Sequence, residues 1–359
     1  MNHLLAQAPE INMERFKNIP LHDLAAIVMA IGEKKFRAQQ IIGWVYDKRV
    51  TSFDDMRNIS GELKEKLKRN FVLTKLNVNT VIESKYGDAV KFGFETIDGE
   101  YIIESVLLID GDRRTICISS QLGCCLGCVF CETGKMGLIR NLTQEEIVGQ
   151  FIGINDYLAL KGDKPITNIV FMGMGEALSN FETFLNSLEI FMHEDIYNIG
   201  GRRITVSTAG VVPSIERLLK EKLNIGLAIS LNSYSNELRD QLMPINKKYP
   251  IESIVAIARR YAAETGRTVT FEYVVIDGKT NTPEALQAIH RYCGGFDCKI
   301  NLIPLNPSTG SALAGPEDDS LQKFADALER KGITATIRKS RGQDIWGACG
   351  QLAGKRIFK

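Results

Sequence analysis

At 359 residues the chain can bury a large core, and length alone predicts two or three domains. A 44 % hydrophobic and 24 % charged composition is an ordinary globular balance, and a net charge of +1 is not that of a purely electrostatic nucleic-acid binder, so any RNA must be drawn by local patches. The opening string MNHLLAQAPEINMER has no apolar core of secretory length, and apolar runs such as 24–31 fall far below the ~18 residues that span a bilayer. Clustered free thiols fit a reducing compartment, so a cytoplasmic protein without membrane contact is expected.

In chain order, residues 1–15 read as a loose lead-in, and 20–70 as helices over 21–31, 36–46 and 60–70. The first carries an apolar stripe of Leu21, Leu24, Ala25, Val28 and Ile31 at helical spacing. Ser60 is an N-cap for GELKEKLKRN, whose charges ring a thin Leu63/Leu67 seam. That charge run reads either as a solvated helix face or as a docking face for phosphates. From 76 to 109 apolar and polar residues alternate, and Asp98-Gly99 between two such runs predicts a hairpin. Glu104, on its last strand, reads on its own as an outward-facing strand residue.

From residue 115 strands and helices alternate. The strands are expected at 115–119, 168–172, 203–207, 225–231, 268–276 and 298–303, and the helices at 143–160, 213–222, 250–263, 283–292 and 320–330. Thr143 and Glu146 form a capping box. Six βα repeats imply a parallel sheet, and periodicity does not separate a curved partial barrel from a doubly wound sheet. In such sheets chemistry gathers after the C-terminal ends of the strands. Those positions hold Gly173, Gly175 and Glu176 in GMGEALSN, then Ser207, Ser230-Leu231-Asn232, and Asn306. Leu178 stands where a dinucleotide fingerprint needs glycine, so GMGE is not a Rossmann loop. It offers instead a close backbone approach and a carboxylate for an ammonium group. Each small polar residue alone is a turn or cap; four on one mouth make a ligand site.

The densest chemistry lies at 117–131, CISSQLGCCLGCVFC, with five of the eight cysteines. Cys124, Cys128 and Cys131 stand in C-x3-C-x2-C spacing, suited to a four-iron cluster with one iron left for a non-protein ligand. The overlapping register from Cys125 begins like a ferredoxin run, but Lys135 and Met136 stand where that run needs Cys and Pro. Structural zinc would need a second ligand pair at fitting spacing; His193 and His290 are isolated, and Cys293 and Cys298 are read as structural. Near the C-terminus Cys349 sits in a Gly/Ala-rich turn beside Arg338, Lys339 and Arg341, a basic cluster suited to phosphates.

The triad, with Phe130 before its last cysteine, resembles the radical S-adenosylmethionine (SAM) superfamily. The strings CISSQLGC, FCETGKMG, RNLT and RGQDIWGACGQL resemble one branch of it, the RlmN/Cfr RNA methyltransferases, with matches from about residue 20 to residue 354. FRAQQIIGWVY, SFDDM and NIS resemble that family's N-terminal accessory domain. The resemblance implies a partial (β/α)6 TIM-like barrel over 111–340, a helical RNA-binding domain over 1–75, a β-hairpin linker over 76–110, and a tail over 341–359. It implies one [4Fe-4S] cluster on Cys124, Cys128 and Cys131, and two SAM per turnover held by Gly175, Glu176, Ser207, Ser230, Leu231, Asn232 and Asn306.

It further implies that Cys349 carries the methyl group, that Glu104 accepts the ring proton, and that Cys117 releases the product by a transient disulfide with Cys349. Adenine ring carbons are too electron-poor for polar methylation, whereas a thiolate is a competent nucleophile, which explains the chemistry. The expected substrates are 23S rRNA and tRNA, methylated at adenine carbon 2, with carbon 8 of 23S rRNA as the alternative. A flavodoxin-type electron donor, a thiol reductant and a monomer are also expected. From another class stands a non-catalytic iron–sulfur protein, which would need no Cys349. Three positions depart from the family pattern: Asn232 for His, Glu132 for a small residue, and Ala177 for Pro.

Overall fold

A computed structural model describes residues 13–357; most of the expected lead-in, residues 1–12, lies outside them. The chain divides into two compact units: the residues up to Lys75 together with His193–Tyr197, and the remainder.

The first unit holds a short parallel pair, β1 (Glu14–Arg15) and β2 (Phe71–Val72), and three helices, α1 (Leu21–Ala30), α2 (Phe36–Ile42) and α3 (Gly61–Asn70). After α2 the chain continues as a π-helical turn over Gly43–Asp47, so the helix expected to run through 46 changes its winding part-way. Phe16 packs edge-to-face on Phe53 and Phe71, with ring centroids 5.7 Å apart in both pairs. Leu24, Val28, Ile41, Val45, Leu63 and Leu67 close this core. Ser60 Oγ accepts the Leu63 N–H and caps α3. Lys66 pairs with Glu33 and Glu62, and Lys68 with Asp54 and Glu65, so much of the charge on α3 is balanced within the unit.

The second unit is built on an eleven-stranded sheet. Its first strands are β3 (Val78–Glu83), β4 (Ala89–Glu95), β5 (Tyr101–Asp110) and β6 (Arg113–Cys117), each antiparallel to the next. The chain then forms a ribbon of β7 (Gln121–Cys124) and β8 (Gly137–Asn141), with the short helix α4 (Glu132–Lys135) between them. Helix α5 (Gln144–Leu160) follows, with both hydrogen bonds of the Thr143–Glu146 capping box. Next come β9 (Asn168–Phe171), α6 (Phe181–Met192), β10 (Ile204–Thr208), α7 (Val212–Lys220), β11 (Gly226–Ser230), α8 (Asn236–Leu242) and α9 (Ile251–Thr265). The remaining elements are β12 (Val269–Val275), α10 (Pro283–Cys293), β13 (Cys298–Pro304), α11 (Asp318–Glu329), β14 (Ala335–Ile337) and β15 (Lys355–Arg356).

Strands β6 and β9 to β14 are all parallel and lie side by side in sequence order. Right-handed crossovers that always step in one direction put every connecting helix on one face. Among the described strands there is no switch point, so the winding is that of a barrel and not of a doubly wound sheet. The edges are β14 and β3, so the sheet stays open. The antiparallel strands continue this same sheet, because β5 is long enough to pair with β4 along its length and with β6 over residues 106–110. Arg140 fastens the hairpin turn to α5 by bridging Asp98 and the buried Glu146. No helix among the described residues is long and apolar enough to cross a membrane.

Candidate active site

An open cavity of about 990 Å³ lies at the C-terminal ends of the parallel strands. Cys124, Cys128 and Cys131 line it, while Cys125 is exposed and lines neither this cavity nor its neighbour. The cluster loop closes the β7–β8 ribbon, where Gly123 has φ 76° and an added Cβ would lie 1.8 Å from the Gly137 carbonyl oxygen. Any larger residue would break that ribbon. Leu126, Cys128 and Phe130 pack against an apolar cluster that includes Leu242, Met243 and Ile303, and the Val129 N–H donates to the Leu242 carbonyl at 3.1 Å. The aromatic before the third cysteine therefore anchors the loop.

The three thiols are pushed up, foremost by burial; Cys124 reaches about 12. Their mutual repulsion as thiolates adds to it for Cys124 and Cys128. Glu176 is wholly buried on the same wall and is raised to about 7 by that burial. Its Oε2 accepts the Ala209 N–H at 2.8 Å, but Oε1 has no partner. Buried thiols that repel one another and a buried carboxylate oxygen with no donor fit a cationic iron cluster and an ammonium-bearing ligand. No three acidic, His or Cys side chains among the described residues converge on a single metal ion.

Ser207, Ser230, Asn232, Asn306 and Gly175 also line this cavity; Leu231 is buried behind it. Gly175 is demanded by the chain itself, since its φ is 92° and an added Cβ would lie 2.4 Å from Gln121 Cβ. Asn232 sits at φ 52°, a conformation its short amide tolerates; its Oδ1 accepts the Val274 N–H and its amide donates to Met243 Sδ. Asn306 donates to the Cys349 carbonyl and accepts from Gln343, so it braces the Cys349 loop. Glu132 accepts from Lys135 and from the Thr309 N–H, tying the cluster loop to the loop after β13. Ala177 is the first residue of a 3-10 turn, the helical position at which proline is best tolerated.

A second cavity of about 590 Å³ adjoins the first, and Cys131, Arg338 and Cys349 line both. Cys117, the last residue of β6, faces this second space. Burial pushes the Cys117 thiol up to about 12, and Arg338 opposes that shift. The Arg338 guanidinium is held more firmly charged by Cys349, Glu272 and Cys117 together, with Glu272 at 3.9 Å. Arg338 thus turns inward, and Arg341 pairs with Asp110 at 2.9 Å, which leaves Lys339 as the exposed member of the basic cluster. The Cys349 loop is clamped to the cluster loop: Glu132 N–H donates to the Gly350 carbonyl and Thr133 Oγ1 to that of Leu352.

Glu104 opens into a third cavity. Lys91 Nζ lies 3.2 Å from its Oε1, and its Oε2 accepts the Ala353 N–H at 2.8 Å.

Sequence reasoning missed two buried charges. Arg239, fully buried, donates to the carbonyls of Ala209, Ser230 and Leu231 and so gathers the ends of β10 and β11; burial lowers it to about 10. Glu272 reaches the cavity from β12, held by the Asn301 amide. An arginine within an α-helix and a glutamate within a strand carry no sequence signal of inward orientation.

Residues 16–73 match the family described as the ribosomal RNA large subunit methyltransferase N-terminal domain, and residues 118–289 match the radical SAM superfamily. The chain is 42 % identical over 324 residues to a probable dual-specificity RNA methyltransferase RlmN 2 of Protochlamydia amoebophila, covering 90 % of each. It is also 42 % identical to a dual-specificity RNA methyltransferase RlmN of Marinobacter nauticus, over 94 % of this chain and 92 % of that one. A radical SAM methyltransferase from Sphaerobacter thermophilus superposes with a TM-score of 0.88 at 40 % identity, covering 94 % of this chain and 98 % of that one.

Proposed function

The chain belongs to the RlmN family of radical SAM RNA methyltransferases, and from that premise we propose that it methylates carbon 2 of adenine in 23S rRNA and in tRNA through a methyl-cysteine on Cys349. One observation carries this reading: Cys349 lies on the wall shared by the three-thiol cavity and the cavity that holds Cys117 and Arg338. A simple iron–sulfur carrier has no use for two further thiols there.

Cys124, Cys128 and Cys131 would hold the cluster, and Glu176 the amino group of SAM, with Ser207 and Ser230 on the same wall. When bound, this pair supplies methyl groups and a reductively generated radical able to take a hydrogen from an unactivated carbon. Arg338 gives a Cys349 thiolate its counter-charge, so the thiol can act as the nucleophile that takes the methyl group. Once that carbon is joined to the base, Glu104 removes the ring proton. Cys117, as its thiolate, then bonds to Cys349 sulfur while the carbon–Cys349 sulfur bond breaks; the electron pair of that bond stays on the carbon, which takes up a proton to become the methyl group. Cys117 at about 12 is a thiol at neutral pH, so its attack depends on the neighbouring Arg338. Glu104 is bound by Lys91 and the Ala353 N–H, so the tail must loosen for it to reach a base.

The first unit, with residues up to Lys75, serves as the RNA-holding accessory domain. A flavodoxin-type protein supplies the electron, a dithiol reductant reopens the disulfide, and the protein works as a monomer. Nucleoside mass spectrometry of ribosomal and transfer RNA, after anaerobic incubation with protein, SAM and reductant, tests the reading. It predicts 2-methyladenosine; 8-methyladenosine would overturn the regiochemistry, and no methylated adenosine would overturn the substrate. Cys117→Ala should trap a covalent protein–RNA adduct, and free methylated RNA from that variant would sink the mechanism.

A further inference from the structure

Trp346 is one of two tryptophans and is 46 % exposed, three residues before Cys349. A solvated indole needs an explanation when everything around it is fastened. On one side Asp344 accepts from Ser84 Oγ and from the Lys85 N–H, each at 3.0 Å, and Ile345 is buried. At the residue itself Lys91 Nζ donates to the Trp346 carbonyl at 3.3 Å, and on the other side the Gly347 N–H donates to the Gly342 carbonyl at 2.8 Å. The backbone is pinned while the side chain is presented.

The pinning is also strained. Trp346 has φ 52°, in the left-handed region that a bulky residue rarely enters. Such a conformation persists only where the surroundings over-determine it, and it is concentrated at functional sites.

The indole lines the open cavity of about 800 Å³ in which Glu104 also lies. The two differ in depth, since Glu104 is 9 % exposed on the strand and Trp346 stands at the rim. Ile82 adds an apolar surface and Lys91 a cation bound to Glu104, while the two other carboxylates of the lining are already engaged, Glu132 by Lys135 and the Thr309 N–H and Asp344 by Ser84 and the Lys85 N–H. An apolar ring edge, one cation and a rigid exposed indole match an unstacked nucleobase, which every RNA can offer through its flat face.

We propose that Trp346 is the stacking platform for the nucleobase adjoining the methylated adenine; this rests on the RNA methyltransferase reading above. With the Ala353 contact to Glu104 released, a base whose edge reaches that carboxylate occupies the floor of the cavity and leaves the rim indole to its neighbour in the strand. Lys91 is a positioning residue in this arrangement, because it joins the Trp346 carbonyl to the Glu104 carboxylate. Binding of the adjoining base and placement of the proton acceptor are thereby set by one contact.

The experiment uses the full chain with its cluster, and anticodon stem-loop transcripts carrying single abasic sites on either side of the target adenosine. Trp346→Ala should weaken binding of the intact transcript about 5- to 150-fold, while Trp346→Phe, which keeps a flat face, should retain most of it. The penalty of Trp346→Ala should vanish on the transcript that lacks the adjoining base. SAM binding, which does not involve the rim, should be unchanged in both variants and reports that they fold. In a Trp44→Phe background, quenching of the remaining indole by the intact transcript, and not by that abasic one, gives a second readout. Native affinity in Trp346→Ala, or an equal penalty on intact and abasic RNA, would overturn the inference while native methylation stands. Binding that depends on Trp346 without any methylation would sink the functional reading and leave the platform in place.

Discussion

Two carboxylates in two cavities divide the labour of this molecule. Glu176, after β9, is buried with one oxygen satisfied by the Ala209 N–H and the other by nothing in the chain. Glu104, on β5, is nearly as buried, yet both of its oxygens are engaged, by Lys91 and by the Ala353 N–H. A buried acceptor without a donor is costly, so the Glu176 site is shaped for a cationic group that arrives from outside. A carboxylate already paired costs little, so the Glu104 site is stable as it stands. The first region lacks a donor for one of its oxygens; in the second the chain itself supplies both partners.

The comparison breaks most completely if the thiols are removed. Cys131→Ala should abolish methylation and the visible absorbance of the cluster, measured anaerobically; retention of either would contradict the triad. Next in size is Arg239→Met, which removes the guanidinium gathering the ends of β10 and β11. Leaving those carbonyls unpaired should cost about 1–3 kcal/mol of stability for each one left without a donor, read in denaturant unfolding, with loss of SAM binding.

Glu176→Gln sharpens the contrast directly. It should weaken SAM binding about 10- to 100-fold, since a hydrogen bond to a charged group is worth about 1.5–3 kcal/mol. The sign with pH follows from burial: with its pKa raised to about 7, Glu176 is protonated below that value and cannot pair with an ammonium. Native SAM affinity should therefore rise as pH passes upward through about 7, with proton release on binding, and the Gln variant should lose both. The same raised pKa makes the ligand-free protein lose stability as pH rises from the ordinary carboxylate range through about 7.

Lys91→Met removes the lysine that holds the Glu104 carboxylate in place and should lower kcat about tenfold while SAM affinity stays native. An unchanged kcat would mean that Lys91 serves packing alone. Smallest of all, Ala177→Pro should change stability by less than about 1 kcal/mol and leave the methylated position unaltered, because the position already suits proline.

The cysteine spacing, the capping box at Thr143 and the Asp98-Gly99 hairpin were legible because each is a local pattern whose chemistry acts over a few residues. Most barrel strands and helices fell within a few residues of expectation for the same reason. Helix α6 was implied by the six repeats but given no bounds, and helix α8 and strand β14 were not anticipated; α6 and α8 begin close after turns rich in small polar residues, and β14 is only three residues long. The fates of Asn232 and Asn306 were hidden as well. Both line the ligand cavity, yet their amides mainly brace Val274 and the Cys349 loop, contacts made 42 and 43 residues away. Arg338 looked like a member of a surface basic cluster until β14 was seen to deliver it between two thiols.

By itself, then, the sequence determined the type of chemistry, since thiol spacing and glycine placement are properties of a short stretch of chain. It also determined that strands and helices alternate. Only the tertiary structure decided that the sheet is wound in one direction, that Cys117, Arg338 and Cys349 share a cavity, and that Glu176 is left wanting a donor while Glu104 is not. Burial and pairing depend on what the rest of the chain brings near a residue, and no residue carries that in its own neighbourhood.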